Sequence, residues 1–134
     1  MNQIRYKDIP LLAQSCLEEY GAFPVNLLHI ADGMGVKVIK GSDVHELSPG
    51  MQGVTYYNHE TGESYIIFDD SLSLEEKRFT IAHEIGHVYM RHWEEHARFT
   101  AYIEDLKRKH GLRVEKQADL FALHLLKGAT AHRL

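Results

Sequence analysis

The stretch "RFTIAHEIGHVYMRH", residues 78–92, decides how the rest of the chain is read. His83 and His87 are four residues apart, and Glu84 directly follows the first of them. On an α-helix, residues four apart share a face, so both imidazoles can point at one ion. Glu84 lies about 100° around the helix from His83 and about 60° from His87, beside that ion rather than on it. A carboxylate placed there can act as base on water held by the metal. The residues inside and around the motif, Thr80, Ile81, Ala82, Ile85, Gly86 and Val88, are all uncharged, as a helix buried beneath a metal requires. Ile81, Ile85 and Val88 form a core stripe on another side. Gly86 costs a helix interior about 1 kcal/mol relative to alanine, which predicts a close packing partner there. With 10 histidines and twelve glutamates in the chain, the bare string can arise by chance, and the plain alternative is a histidine pair on an amphipathic surface helix. The uncharged setting favours the metal.

Two histidines and a water leave a zinc ion one protein ligand short, so a third must come from downstream. The extended motif, with Gly and then His at fixed distances, is excluded because Met90 and Trp93 hold those positions. An acidic residue from a later helix is the other route. "VEKQADLFALHLL", residues 114–126, places Glu115 and Asp119 four apart on one face, with Leu120, Phe121, Leu123, Leu125 and Leu126 expected on the buried side. Glu115 would ligate the ion, and Asp119 would accept the free ring N–H of a ligating histidine, the support such ligands need. Taken alone, Glu115 also suits the first turn of a helix, where an acid favours the dipole.

Around this pair of helices the chain reads as α+β. Pro10 opens a helix to Glu19 that Gly21 ends, with Leu11, Leu12, Ser15 and Cys16 as its apolar face. A second helix follows Pro24 and stops at Gly33 and Gly35. Residues 36–40 (VKVIK) alternate and are β-branched, predicting a strand. Residues 41–50 form a loop. Residues 52–58 and 64–70 are two further strand-like runs, and Gly62 between them signals a hairpin. Ser73 and Glu76 form a capping box that opens the histidine helix. Another helix is predicted over residues 93–110, with Lys107, Arg108 and Lys109 in its last turn and Gly111 as its stop. The final helix runs from Arg113 or Val114 to Lys127. The expectation is a single domain over residues 1–134, with a small, mostly antiparallel sheet packed with helices and the motif on the central one.

Composition narrows the function. A net charge of -4 gives no reason to expect direct nucleic-acid binding. Cys16 is the only cysteine, which rules out a disulfide framework and a thiolate zinc site, and it reads as a core residue. The polar N-terminus shows no signal peptide, and no apolar run approaches the roughly 18 residues of a membrane span. A cytoplasmic location follows, with the oligomeric state open.

At this point "RFTIAHEIGH" followed by "EKQADLFALHLL" resembles the ImmA/IrrE-like zinc metallopeptidases, small cytosolic proteins of the gluzincin type. The carrying features are HExxH and Glu115-x-x-Ala118-Asp119-x-Phe121-Ala122. The resemblance implies a zincin-like fold, a zinc ion (Zn2+) held by His83, His87 and Glu115, and Glu84 as catalytic acid/base. It further implies site-specific cleavage of a protein substrate such as a helix-turn-helix repressor. Where the family commonly continues Leu-Leu-Met-Pro, this chain has Leu125-Leu126-Lys127-Gly128. A peptidase also needs a donor to the tetrahedral oxyanion, for which Tyr56, Tyr57 and His59 on the hairpin are candidates. His124 should lie off the ligand face. His92 and His96, another i, i+4 pair, lack a base between them. His29, His45, His110 and His132 read as surface or loop positions. The alternative function is a catalytically silent metal-binding module that senses or docks to a regulator without cutting it.

Overall fold

The computed structural model describes residues 4–21, 26–45, 47, 49–58, 60–92, 112–128 and 134. A short 3-10 turn (Tyr6–Asp8) leads into α1 (Ile9–Tyr20), followed by α2 (Leu27–Gly33) and β1 (Val36–Lys40). A 3-10 turn (Gly41–Asp43) and a loop lead to β2 (Gly53–Tyr57) and β3 (Ser64–Phe68). Then come α3 (Leu74–Tyr89), which carries the histidine motif, and α4 (Leu112–Gly128). The helix expected over residues 93–110 falls outside the described residues. Among those described, no helix is long and apolar enough to cross a membrane.

Local chemistry accounts for these boundaries. Asn26 caps α2, its side-chain oxygen accepting the His29 N–H at 2.7 Å. Ser73 and Glu76 form the expected reciprocal capping box on α3. In the hairpin, the Asn58 side chain accepts the backbone N–H of Glu60 at 2.9 Å, and Gly62 supplies the positive φ of 75° that closes the turn. The α1 face differs from the one expected. Ile9, Ala13 and Cys16 are buried, at i, i+4 and i+7, while Leu11 is 69% exposed. The helix begins before Pro10, which brings Ile9 inward and turns Leu11 out. On α4, Val114, Ala118, Phe121, Ala122 and Leu125 are buried and Leu123 points outward, so the core stripe is offset from the leucine-rich one expected.

The class is α+β, as expected, but the sheet is mixed rather than mostly antiparallel. Strand order is β1-β3-β2: β3 pairs antiparallel with β2 and parallel with β1. The tight hairpin forces the first pairing. The second arises because β3 inserts between β2 and β1, a neighbour relation that strand propensity does not encode. Pleat alternation turns Ile66 and Phe68 of β3 towards the helices, where they join Ile81, Ile85 and Val88 of α3 in the core. By the pairing register, Thr55 lies opposite Ile66 and Gly53 opposite Phe68, so β2 presents both to α3.

Two glycines set how closely α3 is approached. A Cβ on Gly53 would lie 2.6 Å from Thr80 Cγ2, so the start of β2 sits directly against the motif helix. A Cβ on Gly86 would lie 3.0 Å from Phe121 Cδ1 and 3.3 Å from Phe121 Cβ. Phe121 is fully buried and backed by the Tyr89 ring at 5.6 Å, leaving it little room to move. The cost of glycine in the α3 interior is thus matched by the closeness of α3 and α4.

That contact makes a prediction. Helix propensity alone would have Gly86→Ala stabilise the protein by about 1 kcal/mol. Overpacking against Phe121, typically about 1–3 kcal/mol, should outweigh that gain and lower stability in urea unfolding. A gain of about 1 kcal/mol would show that the two helices do not meet there.

Candidate metal centre

The capping box fixes where α3 starts, and three turns later His83 and His87 point from the same face towards α4. Glu115, in the first turn of α4, meets them. The two Nε2 atoms are 3.1 Å apart. His87 Nε2 is 3.0 Å from Glu115 Oε1, and His83 Nε2 is 3.1 Å from Glu115 Oε2. Among the described residues, these three form a group able to hold a metal ion. The donor set fits zinc. Ligand bonds of about 2.0–2.2 Å at tetrahedral angles place ligand atoms a little over 3 Å apart. Two imidazole lone pairs aimed at each other and at a carboxylate repel unless a cation or proton lies between them.

Glu84 stands beside the triangle, as the helical geometry predicts. Its Oε2 is 3.8 Å from His83 Nε2, and the residue is only 3% exposed. Its other oxygen accepts the hydroxyl of Thr55 at 2.7 Å. Thr55 is fully buried on β2, facing α3. A cleft of about 340 Å³ opens over this group, lined by Met51, Gln52, Gly53 and Phe79 together with His83, Glu84 and Glu115.

Both imidazoles are held from behind. His83 Nδ1 lies 2.8 Å from Asp119 Oδ1, the partner read from the i, i+4 spacing on α4. His87 Nδ1 lies 2.7 Å from His92 Nδ1, a contact not anticipated. α3 ends at Tyr89, and Arg91 adopts a left-handed φ of 53°. That turn swings the chain back beneath the helix, leaving His92 1% exposed against His87. His96, the expected partner of His92, lies outside the described residues, as do His59, His110 and His132.

The remaining candidates fall elsewhere. Tyr56 and Tyr57 line a separate groove with Ile39, Val44, Tyr65 and Ile67, away from the cleft over Glu84. His124 is half-buried on α4 and outside the ligand group. His29 and His45 are exposed, as expected. Sequence reasoning missed Thr55 and His92. A signal existed for each: a buried carboxylate needs a donor, and Thr55 is a polar residue in the inward register of β2. The second ligating histidine needs a partner at Nδ1, but its position depends on how α3 ends.

Charge at the site is divided unevenly. Burial, the largest influence on His83, lowers its pKa, but hydrogen bonds with Asp119 and Glu115 and the charge of Glu84 raise it to about 10. His87, fully enclosed, is pushed down to about 3 by burial, against the pull of Glu115. Burial raises the Glu115 carboxyl, yet its contacts with the His83 and His87 imidazoles hold it well below the usual carboxylate range. These directions place the ionising proton on His83 rather than on His87.

The chain matches the model of the IrrE N-terminal-like domain, a peptidase family, over residues 31–127. It belongs to that family. The match includes α3, the whole sheet and all but the last residue of α4. No curated protein matches the chain.

The raised His83 pKa sets the sign of two effects. In the metal-free protein, the stability from protonated His83 is fully present below its unfolded value of 6.5 and is lost as pH rises through about 10. A ligand must be neutral, so zinc uptake at pH 7.5 should release about one proton and affinity should rise with pH. Calorimetry in buffers of different ionisation enthalpy reads the count. Release of none would mean that His83 is not protonated where the ion enters.

Proposed function

We propose that this chain is a zinc metalloendopeptidase that cuts a cytosolic regulatory protein, with Glu84 as general base and acid. The observation that carries the reading is the convergence of His83, His87 and Glu115 with the Glu84 carboxylate beside them, 3.8 Å from His83 Nε2, at the floor of a cleft. A zinc ion in such a site supplies a Lewis acid that polarises a carbonyl and acidifies water.

The chain's own residues would do the rest. Glu84 accepts a proton from the attacking water and delivers it to the leaving amine. Thr55 donates to the far oxygen of Glu84, fixing the rotation of the carboxylate and leaving Oε2 towards the cleft. Because Gln52 and Glu63 carbonyls accept from Asp69 and Asn58, the bonded pairs fall on even-numbered residues of β2. The backbone groups of Gly53, which lines the cleft, then point away from β3. An extended peptide lying along that edge would gain main-chain hydrogen bonds and bring a carbonyl over the ligands. Membership of the peptidase family supports this reading, and the resemblance to metallopeptidases that act on helix-turn-helix repressors supports such a regulator as substrate, in the cytoplasm.

The test separates chemistry from binding. Glu84→Gln should keep zinc at wild-type stoichiometry and lower cleavage of a candidate repressor by about 100-fold or more, read by mass spectrometry. Thr55→Val should slow cleavage about tenfold, the loss of roughly one hydrogen bond's worth of positioning. Wild-type cutting by the Glu84→Gln variant would sink the mechanism. No cleavage by the wild-type protein, with zinc bound, would favour the silent sensor module instead.

A further inference from the structure

Behind His87 runs a buried hydrogen-bonded chain that the peptidase chemistry does not use. His87 Nδ1 meets His92 Nδ1 at 2.7 Å, and His92 Nε2 meets Gln117 Oε1 at 2.8 Å. The Gln117 amide nitrogen then donates to the backbone carbonyl of Ile4 at 2.9 Å. His87, His92 and Gln117 are all at most 1% exposed, so water does not compete for these atoms. The chain joins the end of α3, the first turns of α4 and the segment before α1.

Its direction is forced from the far end. A backbone carbonyl only accepts, so Gln117 must offer Ile4 its NH2 group and turn its oxygen to His92. That oxygen only accepts, so His92 must carry its proton on Nε2. With His92 neutral, its Nδ1 is a bare acceptor, and His87 donates from its own Nδ1. His87 Nε2 is left with its lone pair, aimed at His83 and Glu115. Of the two neutral tautomers of His87, the chain permits the one that can ligate through Nε2.

We propose that His92 and Gln117 are positioning residues for His87: anchored on the Ile4 carbonyl, they fix its tautomer and ring orientation so that Nε2 is presented for metal before the ion arrives. The proposal rests on the reading of His83, His87 and Glu115 as a metal site. It also makes the two ligating histidines unlike. His83 is backed by the carboxylate of Asp119, whose side chain is 53% exposed, whereas His87 is backed by the buried His92 and Gln117.

Imidazole 15N spectra of the metal-free protein and zinc titrations against a chromophoric chelator test this on the full chain. The wild-type protein should show His87 protonated at Nδ1 and His92 at Nε2. Gln117→Met, which keeps the side chain's length, and His92→Phe should each release the His87 tautomer preference and weaken zinc binding about 10- to 100-fold. A purely structural role would lower the melting temperature of both variants but leave the tautomer and the zinc Kd unchanged, and that result overturns the proposal. So does an Nε2-protonated His87 in the wild-type protein. Failure of the wild-type protein to bind zinc, with both tautomers as stated, would instead strike at the peptidase reading.

Discussion

Everything in this molecule turns on three candidate ligand side chains from two helices, each pair of which approaches within about 3.1 Å in a largely buried place. Left to themselves, two imidazole nitrogens and a carboxylate would not be packed this way: desolvation is costly and the facing lone pairs repel. A divalent ion turns that cost into binding energy. The devices seen elsewhere in the fold serve this convergence. The capping box sets the rotation of α3, Gly86 lets α4 lie against it through Phe121, and Gly53 lets β2 reach Glu84 with Thr55.

Support from behind the ligands is as informative as the ligands themselves. Each histidine bonds a group at Nδ1, so each is set to offer Nε2. The supports differ in charge and in access to water, and the shifted pKa values follow. Hydrogen bonds with Asp119 and Glu115 raise the pKa of His83, while burial, the largest influence on His87, lowers its own. A site with one proton to lose and one lone pair ready is suited to exchange a proton for a metal ion.

Much of this was legible in the sequence, and the reasons are specific. The spacing of His83 and His87 encodes their shared face, with Glu84 beside it. The shortfall of one ligand pointed downstream, where the structure brings Glu115 to both imidazoles and Asp119 to His83 Nδ1. Ser73 with Glu76, the alternation of residues 36–40 and the hairpin around Gly62 were local signals, and the structure contains each element. What escaped was non-local. The parallel pairing of β1 with β3 depends on which strand enters between which. The inward turn of His92 depends on a left-handed residue, Arg91, whose type gives no hint of it. Thr55 became a partner of Glu84 only through the register of β2 with β3. Leu11 and Leu123 were misassigned because apolar residues lie on both sides of their helices.

The most direct measurement of the central claim is X-ray absorption at the zinc K-edge on protein purified without added metal, with elemental analysis of the same sample. The account predicts about one zinc per chain in a shell of nitrogen and oxygen alone at about 2.0–2.2 Å, with outer scattering from two imidazoles. Replacing Glu115 by alanine should remove one light scatterer or the metal altogether. A chain that carries no zinc, or one whose zinc shows fewer than two imidazoles, would contradict the account.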